Sequence, residues 1–133
     1  MSLYMLHTDT AADLIHGKSP ALDGRIASTP PQELCISAVT RGELLCALSH
    51  RAQPLAKVVD QFLSRVPCLP WDAAAAGHFA MIAVTLHHSG TPIGNIDTMI
   101  AGHAIAVGAV LVTSREYRFI RVAGLKLENW TAA

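Results

Sequence analysis

The chain has 133 residues, enough for one domain with a substantial core and too few for two domains of ordinary size. Apolar residues make up 51% and charged residues 15%, which excludes an intrinsically disordered protein. Ten basic and ten acidic residues cancel, so no generic polyanion-binding surface is expected and any nucleic-acid contact must come from local clustering.

Short apolar runs alternate with longer helical patterns, the signature of a parallel sheet covered by helices. Leu3 to Leu6 reads as a first strand. Asp9 then stands near the N-cap of a helix through Ala11-Ala12-Asp13-Leu14-Ile15, with Gly17 at its end. Pro20 to Ser28 is a second short helix, stopped by Pro30-Pro31. Leu34 to Ser37 fits a buried strand. Thr40 opens the next helix, with Glu43 three positions on and an apolar stripe of Leu44, Leu45 and Leu48. Pro54 to Leu63 repeats the helical spacing, and Val66 to Leu69 is a third strand. Asp72 caps a long helix from Ala73 to His88. A loop at Gly90-Thr91-Pro92 leads to a helix from Asp97 to Val107. Ala109 to Thr113 and Leu125 to Leu127 complete five strands.

No run reaches the roughly 20 apolar residues that span a bilayer. The first residues lack the basic start and small-residue cleavage site of a secretory signal, so a cytoplasmic protein without membrane attachment is expected. Cys35, Cys46 and Cys68 show no paired zinc-type spacing and sit among apolar residues, which reads as buried thiols.

Ligands of open parallel sheets bind beyond the carboxyl ends of the strands. That rule selects His7 to Asp9, the segment through Glu43, and Thr113 to Glu116, with Asp97 joining them if its helix starts at the same edge. Glu43 and Asp97 lie in otherwise apolar stretches, where a carboxylate is costly unless paired or bound to metal. Convergent carboxylates that hold Mg²⁺ or Mn²⁺ suit phosphodiester cleavage, because hard cations prefer oxygen and lower the pKa of bound water. Each acid also has a plainer reading. Glu43 can complete a capping box with Thr40, Asp97 can cap its own helix, and Asp9 can cap the first. Asp13 and Asp72 read only as helix-start acids.

Nucleophilic and nucleotide-binding alternatives find no support. Ser37 and Ser114 lack a nucleophile elbow, and no Walker or dinucleotide-binding glycine pattern occurs. His87-His88 reads as a helix terminus, and no histidine is assigned to metal by spacing. Arg115, Arg118, Arg121 and Lys126 form the one noticeable cationic cluster, either an RNA-facing rim or solvated charges.

Four segments appear in the order and spacing of PIN-domain proteins. They are Leu6-His7-Thr8-Asp9-Thr10, Ile36 to Leu44, Ile93 to Ala104 and Val110-Leu111-Val112-Thr113. The closing Arg121 to Trp130 resembles the VapC toxin branch of that family. The resemblance covers nearly the whole chain, and its strength lies in the ordered set. It implies one PIN-like domain over residues 1–133, a three-layer α/β fold with a parallel sheet of about five strands flanked by helices. It also implies a Mg²⁺- or Mn²⁺-dependent endoribonuclease acting on structured RNA such as tRNA or rRNA, a VapB-like antitoxin that inhibits it, and a homodimer. By that carry-over Glu43 and Asp97 match family acids, with Asp9 as a further metal support. Thr8, Thr113 and Ser114 are placed as supporting hydroxyls.

Two positions depart from the family pattern. His7 stands where the family places its first metal-binding aspartate. An imidazole there removes one negative charge and offers nitrogen, a poor exchange for Mg²⁺. After Thr113, where relatives carry Asn or Asp, this chain has Ser114-Arg115 and then Glu116, an acid that can take the vacant role if it reaches. Arg115 is placed either to neutralise acids or to contact phosphate. The expectation is a VapC-like fold with impaired cleavage. The alternative is a PIN-like binding module that engages an antitoxin or RNA, with Leu44 to Phe62 as a surface for partners.

Overall fold

The computed structural model describes residues 2–48 and 55–131. In chain order the elements are β1 (Tyr4–Leu6), α1 (Thr8–His16), α2 (Pro20–Ser28), β2 (Leu34–Ser37), α3 (Ala38–Leu48) and α4 (Ala56–Arg65). They continue with β3 (Cys68–Leu69), α5 (Ala73–His88), α6 (Asn95–Val107), β4 (Val110–Val112), α7 (Glu116–Phe119) and β5 (Lys126–Glu128). The strands form one parallel sheet in the order β3-β2-β1-β4-β5.

Period-two alternation decides which side chain meets which layer. Met5 of β1 points with Cys35 and Leu111 into a cluster completed by Ile82, Leu86, Ile100 and Phe119. Leu6 points the other way, with Ile36 and Val112, into a cluster with Leu22, Leu44 and Phe62. Helices α5 to α7 therefore cover one face and α1 to α4 the other, the three-layer α/β arrangement expected. Central strand β1 pairs Met5 with Cys35 on one side and with Leu111 on the other. The chain leaves β1 at His7, whose N–H still donates to the Val112 carbonyl at 2.9 Å. The residues after β1 and β4 thus sit side by side at the carboxyl edge.

Several local readings are corrected. Asp9 does not cap α1: the cap position is His7, and Asp9 lies in the first turn. Thr40 does not open α3, which starts at Ala38 with the Val39 N–H donating to the Ser37 hydroxyl at 3.1 Å. Asp97 does not cap α6, because the helix begins two residues earlier behind Gly94. Gly94 holds φ at 92°, a left-handed value that disfavours any residue with a Cβ. The third strand shrinks to Cys68–Leu69 because Val66 closes α4. Pro54, expected to start α4, lies outside the described residues. Leu44 to Phe62 is split between α3 and α4; Leu44, Val59 and Phe62 are buried core, while Leu45 and Val58 are exposed. Cys35 is buried as expected, but Cys46 is exposed and Cys68 half-buried. Asp72 does cap α5, accepting from the Ala75 N–H at 3.1 Å, and Gly17 does close α1.

Helices α5 and α6 meet closely at Gly102. A Cβ there would lie 2.7 Å from the Phe79 backbone nitrogen and 3.2 Å from the Ala75 carbonyl oxygen. Backbone cannot swing aside as a side chain can, so the helices must separate. Gly102→Ala is expected to cost about 2–3 kcal/mol, read as a lower urea midpoint at unchanged slope.

Candidate functional site

The site is built where β1, β2 and β4 end. The imidazole of His7 lies between two carboxylates, with Nδ1 at 2.7 Å from Asp9 Oδ1 and Nε2 at 2.8 Å from Asp97 Oδ1. Burial alone would push this ring toward neutrality. The hydrogen bonds to Asp9 and Asp97, and their charges, outweigh it and carry the pKa up to about 9. His7 is therefore an imidazolium at neutral pH, donating from both nitrogens. The Asp9 N–H also comes within 3.3 Å of Nδ1, but a protonated nitrogen has no lone pair to offer it. Phe119 covers the ring edge-on at a centroid distance of 5.3 Å.

Asp9 is saturated with donors. Oδ1 takes the His7 ring and the Thr10 N–H at 2.6 Å; Oδ2 takes the hydroxyls of Thr113 at 2.9 Å and Ser114 at 3.0 Å. Burial would raise its pKa, but His7, Thr113 and Ser114 hold the carboxyl well below the usual range. Asp97 is engaged on both oxygens: His7 takes Oδ1, and Arg118 Nε donates to Oδ2 at 2.8 Å. Burial opposes its ionisation, and His7 and then Arg118 lower its pKa against that. As a first-turn acid, Asp97 also gains from the positive end of α6.

Glu43 reaches the same edge from α3. Its Oε1 accepts from the Thr8 hydroxyl at 2.5 Å, and the Thr40 and Thr8 hydroxyl oxygens are 3.0 Å apart. Since Thr8 uses its proton on Glu43, Thr40 donates to Thr8. Thr40 thus serves the chain Thr40–Thr8–Glu43 and not a capping box. The three acids hang on consecutive residues, Asp9 and Asp97 on His7 and Glu43 on Thr8.

Glu116 opens α7 as its first-turn acid. Arg115 donates its backbone N–H to the Thr113 hydroxyl at 3.0 Å, and its side chain is exposed. The residue that neutralises Asp97 is Arg118, which sequence reasoning placed only in an outward cationic cluster. Its signal was weak, because α7 has four residues and shows no readable periodicity. Behind the site, His103 Nδ1 lies 2.7 Å from the Ser37 hydroxyl, and burial lowers its pKa against the charge of Asp72.

A divalent cation of the kind the resemblance implies needs several oxygen ligands with free lone pairs. Here donors occupy both oxygens of Asp9 and Asp97, and an imidazolium and a guanidinium already balance their charges. Among the described residues, no group of three or more His, Cys, Asp and Glu side chains is placed to hold a metal ion. As arranged, this donor set does not fit Mg²⁺ or Mn²⁺. Among the described residues no helix is long and apolar enough to cross a membrane.

Comparison with known proteins agrees with this architecture. The family description "PIN domain" matches residues 7–125. The chain is similar to the tRNA(fMet)-specific endonuclease VapC of Shigella flexneri, 36% identical over 133 residues, spanning 98% of this chain and all of that protein. It is also similar to Ribonuclease VapC2 of Haemophilus influenzae strain Rd, 32% identical over 132 residues, 98% of this chain and 99% of that protein. Among solved structures, the DNA-bound VapBC of Salmonella typhimurium superposes with a TM-score of 0.91 at 36% identity, covering 98% of this chain and 99% of that one. VapBC2 of Rickettsia felis, bound to a promoter fragment, gives 0.89 at 30%, covering 96% and 98%.

The ion pairs fix a pH dependence. His7 has a folded pKa near 9 against an ordinary 6.5, so its contribution is complete below pH 6.5 and lost as pH rises through 9. That difference corresponds to roughly 3 kcal/mol. Asp9 and Asp97 are depressed, so theirs is present above the ordinary carboxylate pKa of 3.8 and lost on acidification below it. Tm should therefore peak between about pH 5 and 6.5 and fall toward pH 9. His7→Gln should be less stable and lose the alkaline fall, as read by thermal melts across pH.

Proposed function

Because the chain belongs to the PIN-domain family, in its VapC branch, we propose that it is a ribonuclease-type toxin for structured RNA whose cleavage is held silent by His7. The carrying observation is the imidazolium bonded at once to Asp9 and Asp97. A pair of carboxylates already neutralised and bonded on every oxygen is poorly placed to gather the positive charge that phosphodiester cleavage requires. Relatives named as ribonucleases and as tRNA(fMet)-specific endonucleases support a folded RNA, tRNA among them, as the substrate class. The site works in the cytoplasm, where such RNA is found.

An antitoxin is the protein partner, a reading supported by structural neighbours that are VapBC complexes. Its seat is an open apolar groove of about 330 Å³, lined by Leu14, Ile15 and Ile26 on one side and Val58 and Phe62 on the other. Exposed Met81 of α5, which shares a shallow cavity with Arg121 and Val122, gives a separate apolar face for a homodimer.

The closed carboxylates also favour a second reading, a PIN-fold module that binds antitoxin or RNA without cutting. One experiment separates the two. Purified unaltered chain and His7→Asp are incubated with bulk tRNA and Mn²⁺, and cleavage is followed on denaturing gels. We expect His7→Asp to cleave on the order of 100-fold faster than the unaltered chain. Equal cleavage by both would defeat the role given to His7. No cleavage by either, with antitoxin still bound, would leave the binding module as the function.

A further inference from the structure

Asp97 is closed from two directions, and the second closure does not depend on His7. Arg118 donates Nε to Asp97 Oδ2 at 2.8 Å and a terminal nitrogen to the Ile93 carbonyl at 2.6 Å. Ile93 immediately precedes Gly94, the cap of α6, so one guanidinium grips both the carboxylate and the backbone that launches its helix. Short α7 is itself anchored. Phe119, the next residue, is fully buried against the core and against the His7 ring. At its other end the Arg115 N–H holds the Thr113 hydroxyl, which in turn donates to Asp9. A planar guanidinium in this position loses little freedom on bonding and is hard to displace.

We infer that Arg118 is a positioning residue whose guanidinium holds Oδ2 of Asp97 from inside the chain, where a divalent cation would otherwise bring positive charge, so that exchanging His7 alone leaves Asp97 half closed. The always-charged guanidinium answers the Asp97 carboxylate at Oδ2, and the His7 ring occupies Oδ1. An ion taken by Oδ1 of Asp97 would still face the Arg118 guanidinium on Oδ2 of the same carboxylate, whatever stands at position 7. This inference rests on the reading of the carboxylates as a silenced site, but its test involves no RNA, so failure of the toxin reading leaves it decidable.

The probe is Mn²⁺ alone, with free ion counted by electron paramagnetic resonance and folding checked by circular dichroism. The unaltered chain is expected to bind none, and His7→Asp to bind weakly. His7→Asp with Arg118→Gln should bind about tenfold tighter than His7→Asp, the scale of one charge-assisted hydrogen bond. His7→Asp with Arg118→Lys, which keeps the charge, should stay at the weak value. Were Arg118 only a brace for α7, Arg118→Gln would lower stability and leave Mn²⁺ affinity where His7→Asp put it, which overturns the inference. Binding by the unaltered chain as tight as that of His7→Asp overturns it without any Arg118 variant.

Discussion

A buried imidazolium between two carboxylates organises this molecule's functional edge. Its geometry requires β1 to end where β4 ends, α1 to begin one residue later, and α6 to present its first turn toward both. Thr113 and Ser114 bind the end of β4 to Asp9, and Arg118 binds α7 to Asp97. Three stretches distant in sequence, around residues 7–10, 97 and 113–118, thus share one polar knot. Desolvation disfavours the charged forms of His7, Asp9 and Asp97, which are held by partners at hydrogen-bond distance.

Such a knot is not a device for stability in itself. Replacing a buried ion pair with apolar groups is often neutral, whereas removing one member leaves the rest stranded. Position 7 shows the asymmetry. With an acid there, three carboxylates would converge around residues 7 to 9 and 97, and the site would need positive charge from outside. With His7 the substitution changes the local charge by two units, from minus one to plus one, and the demand is met internally. Donors on both oxygens of Asp9 and of Asp97 then compete with the ligand set that a hard cation requires.

Much of this was legible in the sequence. Short apolar runs located all five strands, since a parallel strand covered on both faces needs apolar side chains on both. Asp72 and Gly17 announced their caps because those roles need particular side chains. The rule of strand carboxyl ends selected His7, Asp9, Glu43, Thr113 and Ser114. Pairing was what the sequence hid. Asp9 and Asp97 are first-turn acids, one or two residues inside their helices, and local propensity cannot distinguish that from capping. Thr40 and Glu43 have capping-box spacing, yet a partner 32 residues away, Thr8, takes the Thr40 hydroxyl. Arg118 was hidden most deeply, because α7 exists through the tertiary burial of Phe119 and not through any periodic pattern.

Helix α1 joins the polar knot to the apolar groove. Its first turn, Thr8 to Thr10, belongs to the polar knot, while Leu14 and Ile15 near its far end line the apolar groove. The two ends are held by different forces. The first turn is set by His7 and the hydroxyls at the end of β4. The last is set by Gly17, left-handed at φ 65°, with the Lys18 N–H returning to the Asp13 carbonyl at 3.1 Å. The packing of Leu14 and Ile15 against the cluster of Leu22 and Phe62 adds to that hold. A substitution at position 7 changes the charge that the first turn meets and leaves the determinants of the last turn in place. The two ends of α1 therefore answer to separate determinants.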